Sequence, residues 1–371
     1  MKYLRNLNNH DDYTILITSA DFKQTNMENA VISYCKAEEH VHYNPYVPSY
    51  AGFCKLTLND DSIVELEGSG TLASTMITNY KSTIVSVEIG KLCTDIASRA
   101  FYNCTSLSNV TIGNSVTSIG SYAFFGCTSL TSIIIPNSVT SIGESAFGAC
   151  KCLTSIDIPD NVTSIDDSAF NGCSGLTSIT IPDSVTSIGS YAFLGCTGLT
   201  SITIPDSVTS IGNHAFDDCS GLTSITIGSG VTTIGDYAFD DCSSLTNVTI
   251  GNSVTSIDSY AFFGCTGLTS ITIPDSVTSI WDGAFNGCTG LTSITIGSSV
   301  TTISYTAFYN CSGLTNITSL ATTAPTIQSN TFRNVKTGGT LTVPNGSTGY
   351  GAWMGTGDYY LGKYNWKKVE Q

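Results

Sequence analysis

Ten cysteines stand at one interval along this chain: Cys104, Cys127, Cys150, Cys173, Cys196, Cys219, Cys242, Cys265, Cys288 and Cys311. Each follows the last by 23 residues, and a phenylalanine stands three residues ahead of every one, from Phe101 to Phe308, with an alanine before it. A period held this strictly means one supersecondary unit stacked on copies of itself, a solenoid in which each unit contacts its neighbours. Such a chain offers a long repetitive surface and points away from catalysis.

The period changes how composition is read. A chain of 371 residues would ordinarily hold about two or three domains, but a stacked array has no set length. Hydrophobic residues make up 41%, enough for a continuous core, while charged residues make up 12% and Ser, Thr and Gly abound. In an aperiodic chain that mixture would read as disorder; with a period it reads as a β-rich scaffold with a neutral polar skin.

The net charge of −15 is unevenly spread, and Lys151 is the only lysine or arginine in residues 100–332. That surface repels phosphate, so the array is expected to bind no nucleic acid and no anionic membrane. Basic residues sit in the flanks, as at Lys363, Lys367 and Lys368, where they read as solubilising end charges. No apolar run reaches membrane-spanning length, so no membrane insertion is expected. The first residues do not read as a signal peptide, because the apolar stretch at residues 13–20 is short and follows Asp11 and Asp12. The chain therefore reads as staying in the cell that makes it, leaving by another route, or beginning elsewhere than its native start.

A residue at one phase of a solenoid forms a ladder with neighbours about 5 Å apart. The ten cysteines are thus expected to point together into the core as reduced, small hydrophobic residues. Spacing alone leaves pairing between neighbouring rungs open. Cys35, Cys54, Cys93 and Cys152 lie outside the ladder, and Cys35 with Cys54 is the other pair to check.

One unit, residues 199–221, reads LTSITIPDSVTSIGNHAFDDCSG. Leu199, Ile202 and Ile204 alternate with polar residues, which predicts a short half-buried strand. Pro205 and Asp206 predict a turn, and Val208 with Ile211 a second extended segment ended by Gly212. Residues 214–219 are compact enough for one helical or 3₁₀ turn, with Ala215, Phe216 and Cys219 inward. The array is expected over residues 84–335, ending in a degenerate unit where Phe332 keeps its place and Val335 replaces the cysteine. Residues 51–83 predict an N-terminal cap, a hairpin over 54–67 followed by a short helix over 71–80. Residues 336–371 predict a C-terminal aromatic cap, with a strand at 340–344 and then Tyr350, Trp353, Tyr359, Tyr360, Tyr364 and Trp366. Residues 1–50 do not match the repeat and read as a small separate module with strands at 30–34 and 40–43.

The motif carried by Leu199, Ile202, Ile204, Pro205, Val208, Ile211, Gly212, Ala215, Phe216 and Cys219 resembles the BspA-like (Treponema-type) leucine-rich repeat family. The segment from Ala324 and Pro325 through Gly339 to Pro344 is also similar to the closing part of such proteins from gut-type bacteria. The resemblance implies a repeat solenoid: a β-rich leucine-rich-repeat right-handed superhelix, curved, with a parallel sheet on its concave side and caps at both ends. Its better-known members are surface proteins that adhere to host matrix proteins or other cells, which implies a cell-surface or secreted protein. The missing signal peptide departs from that pattern. The family has no catalytic residues to carry over.

No histidine–cysteine cluster, phosphate loop or nucleophile with its base emerges, so neither an enzyme nor a cofactor is expected. Three surface stripes remain. Thr180, Thr203, Thr226, Thr249 and Thr272 recur outward on the first strand, beside Ser178, Ser201, Ser224 and Ser270. They read as a soluble β-favouring face or as a broad binding face for protein or glycan. Tyr191, His214, Tyr237 and Tyr260 precede the Ala-Phe pair on consecutive coils, with Phe125, Leu194, Phe263 and Tyr309 extending that side. Stacked aromatics suit packing between coils as well as contact with a sugar or a partner protein. Asp217, Asp218, Asp240 and Asp241 bring like charges onto adjacent coils, as a solvated face or as oxygen ligands for calcium. The expected function is a non-enzymatic binding or adhesion scaffold with a protein or glycan partner. The alternatives are a phage- or mobile-element-encoded receptor-binding or structural component, and a carbohydrate-binding protein using Tyr191, Tyr237, Tyr260 or the tail tryptophans.

Overall fold

The computed structural model describes residues 50–371. The expected N-terminal module, its strands at 30–34 and 40–43, and Cys35 lie outside the described residues, apart from Tyr50. Residues 50–371 form one compact unit, a β-solenoid of about 13 turns with a repeat near 23 residues.

Each turn has three faces, and each face is bonded to the next turn in its own way. On the first, Ser201–Ile204 pairs in parallel with Ser224–Ile227, placing Ile202 opposite Ile225 and Thr203 opposite Thr226. The two-residue side-chain period of a strand buries Ile202 and Ile204 and leaves Ser201 and Thr203 outside. On the second, the short strand Ser210–Ile211 pairs with Thr233–Ile234, within an eight-stranded sheet running from Ser164–Ile165 to Thr326–Ile327.

The third face corrects a sequence expectation. Residues 214–219 form neither a helical nor a 3₁₀ turn. The amides of Ala215, Asp217 and Cys219 close successive tight turns onto Gly212, His214 and Phe216 at 3.2–3.3 Å. The amides between them, on His214, Phe216 and Asp218, donate at 2.8 Å to the carbonyls of Asp236, Ala238 and Asp240 on the next coil. Left-handed backbone at His214 (φ 55°) and Asp218 (φ 53°) makes this alternation. A helix would spend all its amides on itself; this backbone spends half of them on its neighbour.

The core lies between the faces. Ala215, Phe216 and Cys219 are fully buried, as are their counterparts along the array. The phenylalanines from Phe101 to Phe332 form one column with ring centroids 5.0–5.8 Å apart and planes within 14° of parallel. Trp353 closes it, 5.2 Å from Phe332 and tilted by 49°. None of the described cysteines is disulfide-bonded. Instead the Cys219 thiol donates to the Phe193 carbonyl at 3.2 Å, a contact repeated from Cys127 to Cys311.

At the N-terminal end, Cys54–Leu58 pairs antiparallel with Ile63–Leu66 and with Ile84–Ile89. The short helix expected over 71–80 is replaced by a strand, Gly70–Leu72, and two 3₁₀ turns, Ser74–Met76 and Thr78–Tyr80. The edge of Cys93–Ile96 recruits that strand, which tertiary pairing decides and local propensity does not. At the other end Thr340–Val343 and Lys367–Glu370 extend the first face in parallel. No helix among the described residues is long and apolar enough to cross a membrane.

Candidate functional site

Two rows of threonine look alike in sequence and differ in what their hydroxyls do. Thr200, Thr223 and Thr246 each donate their hydroxyl to the carbonyl 23 residues earlier, at 2.9–3.5 Å. They bind coil to coil. Thr180, Thr203, Thr226, Thr249 and Thr272 are exposed, and their hydroxyls bond to no other group among the described residues. Within the row, Thr203, Thr226 and Thr249 are in register. The sheet is not hydrogen-bonded between Ser178–Thr180 and Ser201–Ile204, nor between Asn247–Thr249 and Ser270–Thr272. The row is therefore brought onto one face as three segments.

The aromatic residues are brought together. Tyr191, His214, Tyr237 and Tyr260 stack with centroids 4.8, 4.7 and 4.9 Å apart and planes within 8°. All four occupy left-handed backbone, φ between 55° and 59°, a conformation uncommon for bulky side chains. The cross-coil amide bonds and the stack hold them there. Tyr191 at the open end is 40% exposed, and the others are half-buried. The column ends where Gly283 takes the same phase and offers no ring to stack on Tyr260. Phe125, Leu194, Phe263 and Tyr309 are half-buried; Phe263 meets the Tyr260 ring edge-on at 5.9 Å, whereas Phe125 stacks on Tyr102 further back. Part of this aromatic area is thus internal packing, and its outer edge is available to a partner.

The four aspartates divide. Asp218 and Asp241 are exposed, whereas Asp217 accepts from or donates to His214 Nδ1 at 2.8 Å according to protonation. Burial, more than the bond to His214 offsets, pushes the Asp217 carboxyl up. Burial first and the charges of Asp217 and Asp241 next push Asp240 up to about 7, and its buried Oδ1 has no hydrogen-bond partner. Among the described residues, no group of three or more His, Cys, Asp or Glu is placed to hold a metal ion.

The tail tryptophans do not reach solvent. Trp353 and Trp366 are buried, with ring nitrogens donating to Pro325 O at 2.9 Å and Lys336 O at 2.8 Å. They close the core, so a sugar platform there is ruled out.

Sequence reasoning passed over Trp281, which is 47% exposed. It stands at the phase held by Gly120, Gly143, Gly189, Gly212 and Gly235, and by Asp166, Asp258 and Ser304 on other coils, where it is the one large aromatic side chain. That break was the available signal. Trp281 walls a cleft of about 440 Å³ shared with Asp236 and Asp258 and lined by serine and threonine.

A family model described as the BspA type leucine rich repeat region, in six copies, matches residues 77–197, 163–283 and 255–354. A leucine-rich repeat protein from Bacteroides ovatus is 26% identical, over 89% of this chain and 94% of that one, with a TM-score of 0.55. A leucine rich cell surface protein from Faecalibacterium prausnitzii is 31% identical over 75% of this chain and 95% of its own, TM-score 0.38. The pneumococcal vaccine antigen PcpA is 19% identical over 76% and 78%, TM-score 0.45. Comparison with curated proteins found no match.

Proposed function

Because the chain belongs to the BspA-type leucine-rich repeat family, which is typical of bacterial surface proteins, we propose that it is a non-enzymatic binding or adhesion scaffold. It recognises a protein or glycan partner through the repeat surface. One observation carries the reading: hydroxyls at the Thr203 phase are exposed and uncommitted, while those at the Thr200 phase are spent within the fold. A stacked array that leaves one in-register polar row free presents many equivalent weak contacts, and such contacts add up along the array. The aromatic edge at Tyr191 supplies a flatter, more desolvated contact beside it.

The test is surface binding by the full chain. Wild type and a Thr203→Arg/Thr226→Arg variant are assayed on purified extracellular-matrix proteins and on a glycan array. Both substitutions are on exposed positions, so thermal melting should stay unchanged while binding falls at least about tenfold. Undiminished binding by the variant, or no binding by wild type to either panel, would sink the proposal. Glycan binding abolished by Tyr237→Ala would place a sugar on the aromatic column.

A further inference from the structure

We propose that the cleft beside Trp281 is a docking site for an arginine side chain of a protein partner. This rests on the reading of the chain as a binding scaffold and specifies one contact within it. Trp281, Asp236, Asp258, Ser256, Ser259 and Thr278 line the cleft.

Its components fit a planar cation. An exposed indole offers a flat face that attracts guanidinium through its ring electrons, and the same guanidinium forks onto a carboxylate. Asp258 uses Oδ1 to accept from the Ser256 hydroxyl at 2.8 Å, and Asp236 uses Oδ1 to accept from the Ser259 amide at 2.9 Å. Each keeps its second oxygen for a ligand. Neither carboxylate forms an ion pair among the described residues, and Lys151 is the only lysine or arginine in residues 100–332. Burial, with the charge of Asp236 adding to it, pushes the Asp258 carboxyl up. A neutral sugar would leave that repulsion in place, whereas a cation removes it. The wider field of the array is negative and draws a basic segment toward the cleft.

The position of Trp281 also makes the idea testable. Glycine is the ordinary residue at this phase, so Trp281→Gly restores a repeat-like coil and is expected to fold. Trp353 and Trp366 are buried, so a change of tryptophan emission on adding a small ligand reports on Trp281. The experiment titrates the full chain with the peptide acetyl-Gly-Arg-Gly-amide, with acetyl-Gly-Ala-Gly-amide and the methyl glycosides of glucose, galactose and mannose as comparisons. The expected result is a saturable change with the arginine peptide only. It weakens about tenfold in Asp258→Asn or on raising salt from about 0.05 to 0.5 M, and binding of the same peptide followed by calorimetry is lost in Trp281→Gly. No saturable change, an equal response to the alanine peptide, or saturation by a methyl glycoside in place of the arginine peptide overturns the assignment. A failed titration while the Thr203→Arg/Thr226→Arg variant still loses matrix binding overturns the cleft alone and leaves the scaffold reading standing.

Discussion

A thiol at the ladder phase combines small volume with a weak donor, which no aliphatic side chain does. The Phe193 carbonyl already accepts from the Cys196 amide at 3.1 Å, and the Cys219 thiol occupies its second lone pair. Alanine would lose both the packing and the donor. Burial pushes these thiols far from ionisation, to about 12 at Cys150 and Cys288, so they are poor nucleophiles. Alkylation of the native protein, mapped by peptide mass spectrometry, should therefore modify exposed Cys152 and leave the ten ladder cysteines intact until denaturant is added. Asp240 behaves oppositely, as a surface-type residue caught half inside. Its pKa is raised on folding to about 7, so its contribution to stability is full below about pH 4 and is lost as pH rises through that value. Asn171 and Asn286 occupy the same phase, so Asp240→Asn is compatible with the coil. The variant should exceed wild type by about 1–2 kcal/mol at pH 8, partial exposure screening the rest, and the gap should close by pH 4. Thermal melts across that range check it; a gap independent of pH would mean that repulsion is not the cause. The identity of the core residues was legible in their period. Which carboxylate is half-buried was not, since Asp217, Asp218, Asp240 and Asp241 differ in orientation and not in chemistry.

Within a coil, the two strands were legible because Ile202, Ile204, Val208 and Ile211 follow the period of an extended chain. The third segment was misread. Ala215, Phe216 and Cys219 fall inward in a helical turn and in the observed turns alike, so burial pattern does not separate them. What decides between them is the demand of the next coil for amide donors, which no single unit displays. The same stacking explains glycine at position 212, although Asp166, Asp258, Trp281 and Ser304 fit this phase on other coils. A Cβ on Gly212 would lie 2.6 Å from backbone atoms of Gly189 and Ser190, and backbone cannot swing aside as a side chain can. Gly212→Ala should cost about 1–3 kcal/mol, measured by chemical denaturation, whereas Trp281→Gly should leave stability nearly unchanged. Equal tolerance at both positions would show that the coils part easily at this phase.

In the stack as a whole, stability is a sum of coil terms and contacts between adjacent coils, so an end must be closed or it frays inward. Trp353 closes the phenylalanine column against Phe332, and Tyr350 packs beside it, its hydroxyl donating to Ala321 O at 2.8 Å. Trp353→Ala removes a fully buried ring, worth about 3–5 kcal/mol, from the terminal contact. Hydrogen exchange should then quicken in the last coils, around residues 300–343, while amides near residues 110–200 keep their protection. Uniform loss of protection along the array would mean that it unfolds as one cooperative unit. The aromatic tail stood out by its composition, yet the burial of Trp353 and Trp366 was not legible, because exposed and buried tryptophans are identical as letters.

By itself the sequence determined the repeat length, the inward residues and the family, since these follow from a period that survives any detail of backbone conformation. The tertiary structure alone decided which threonine row is free, which tryptophan is exposed and how the third face is bonded. Those properties depend on what the neighbouring coil does with each donor and each volume, and a neighbour 23 residues away is adjacent only once the chain has closed a turn.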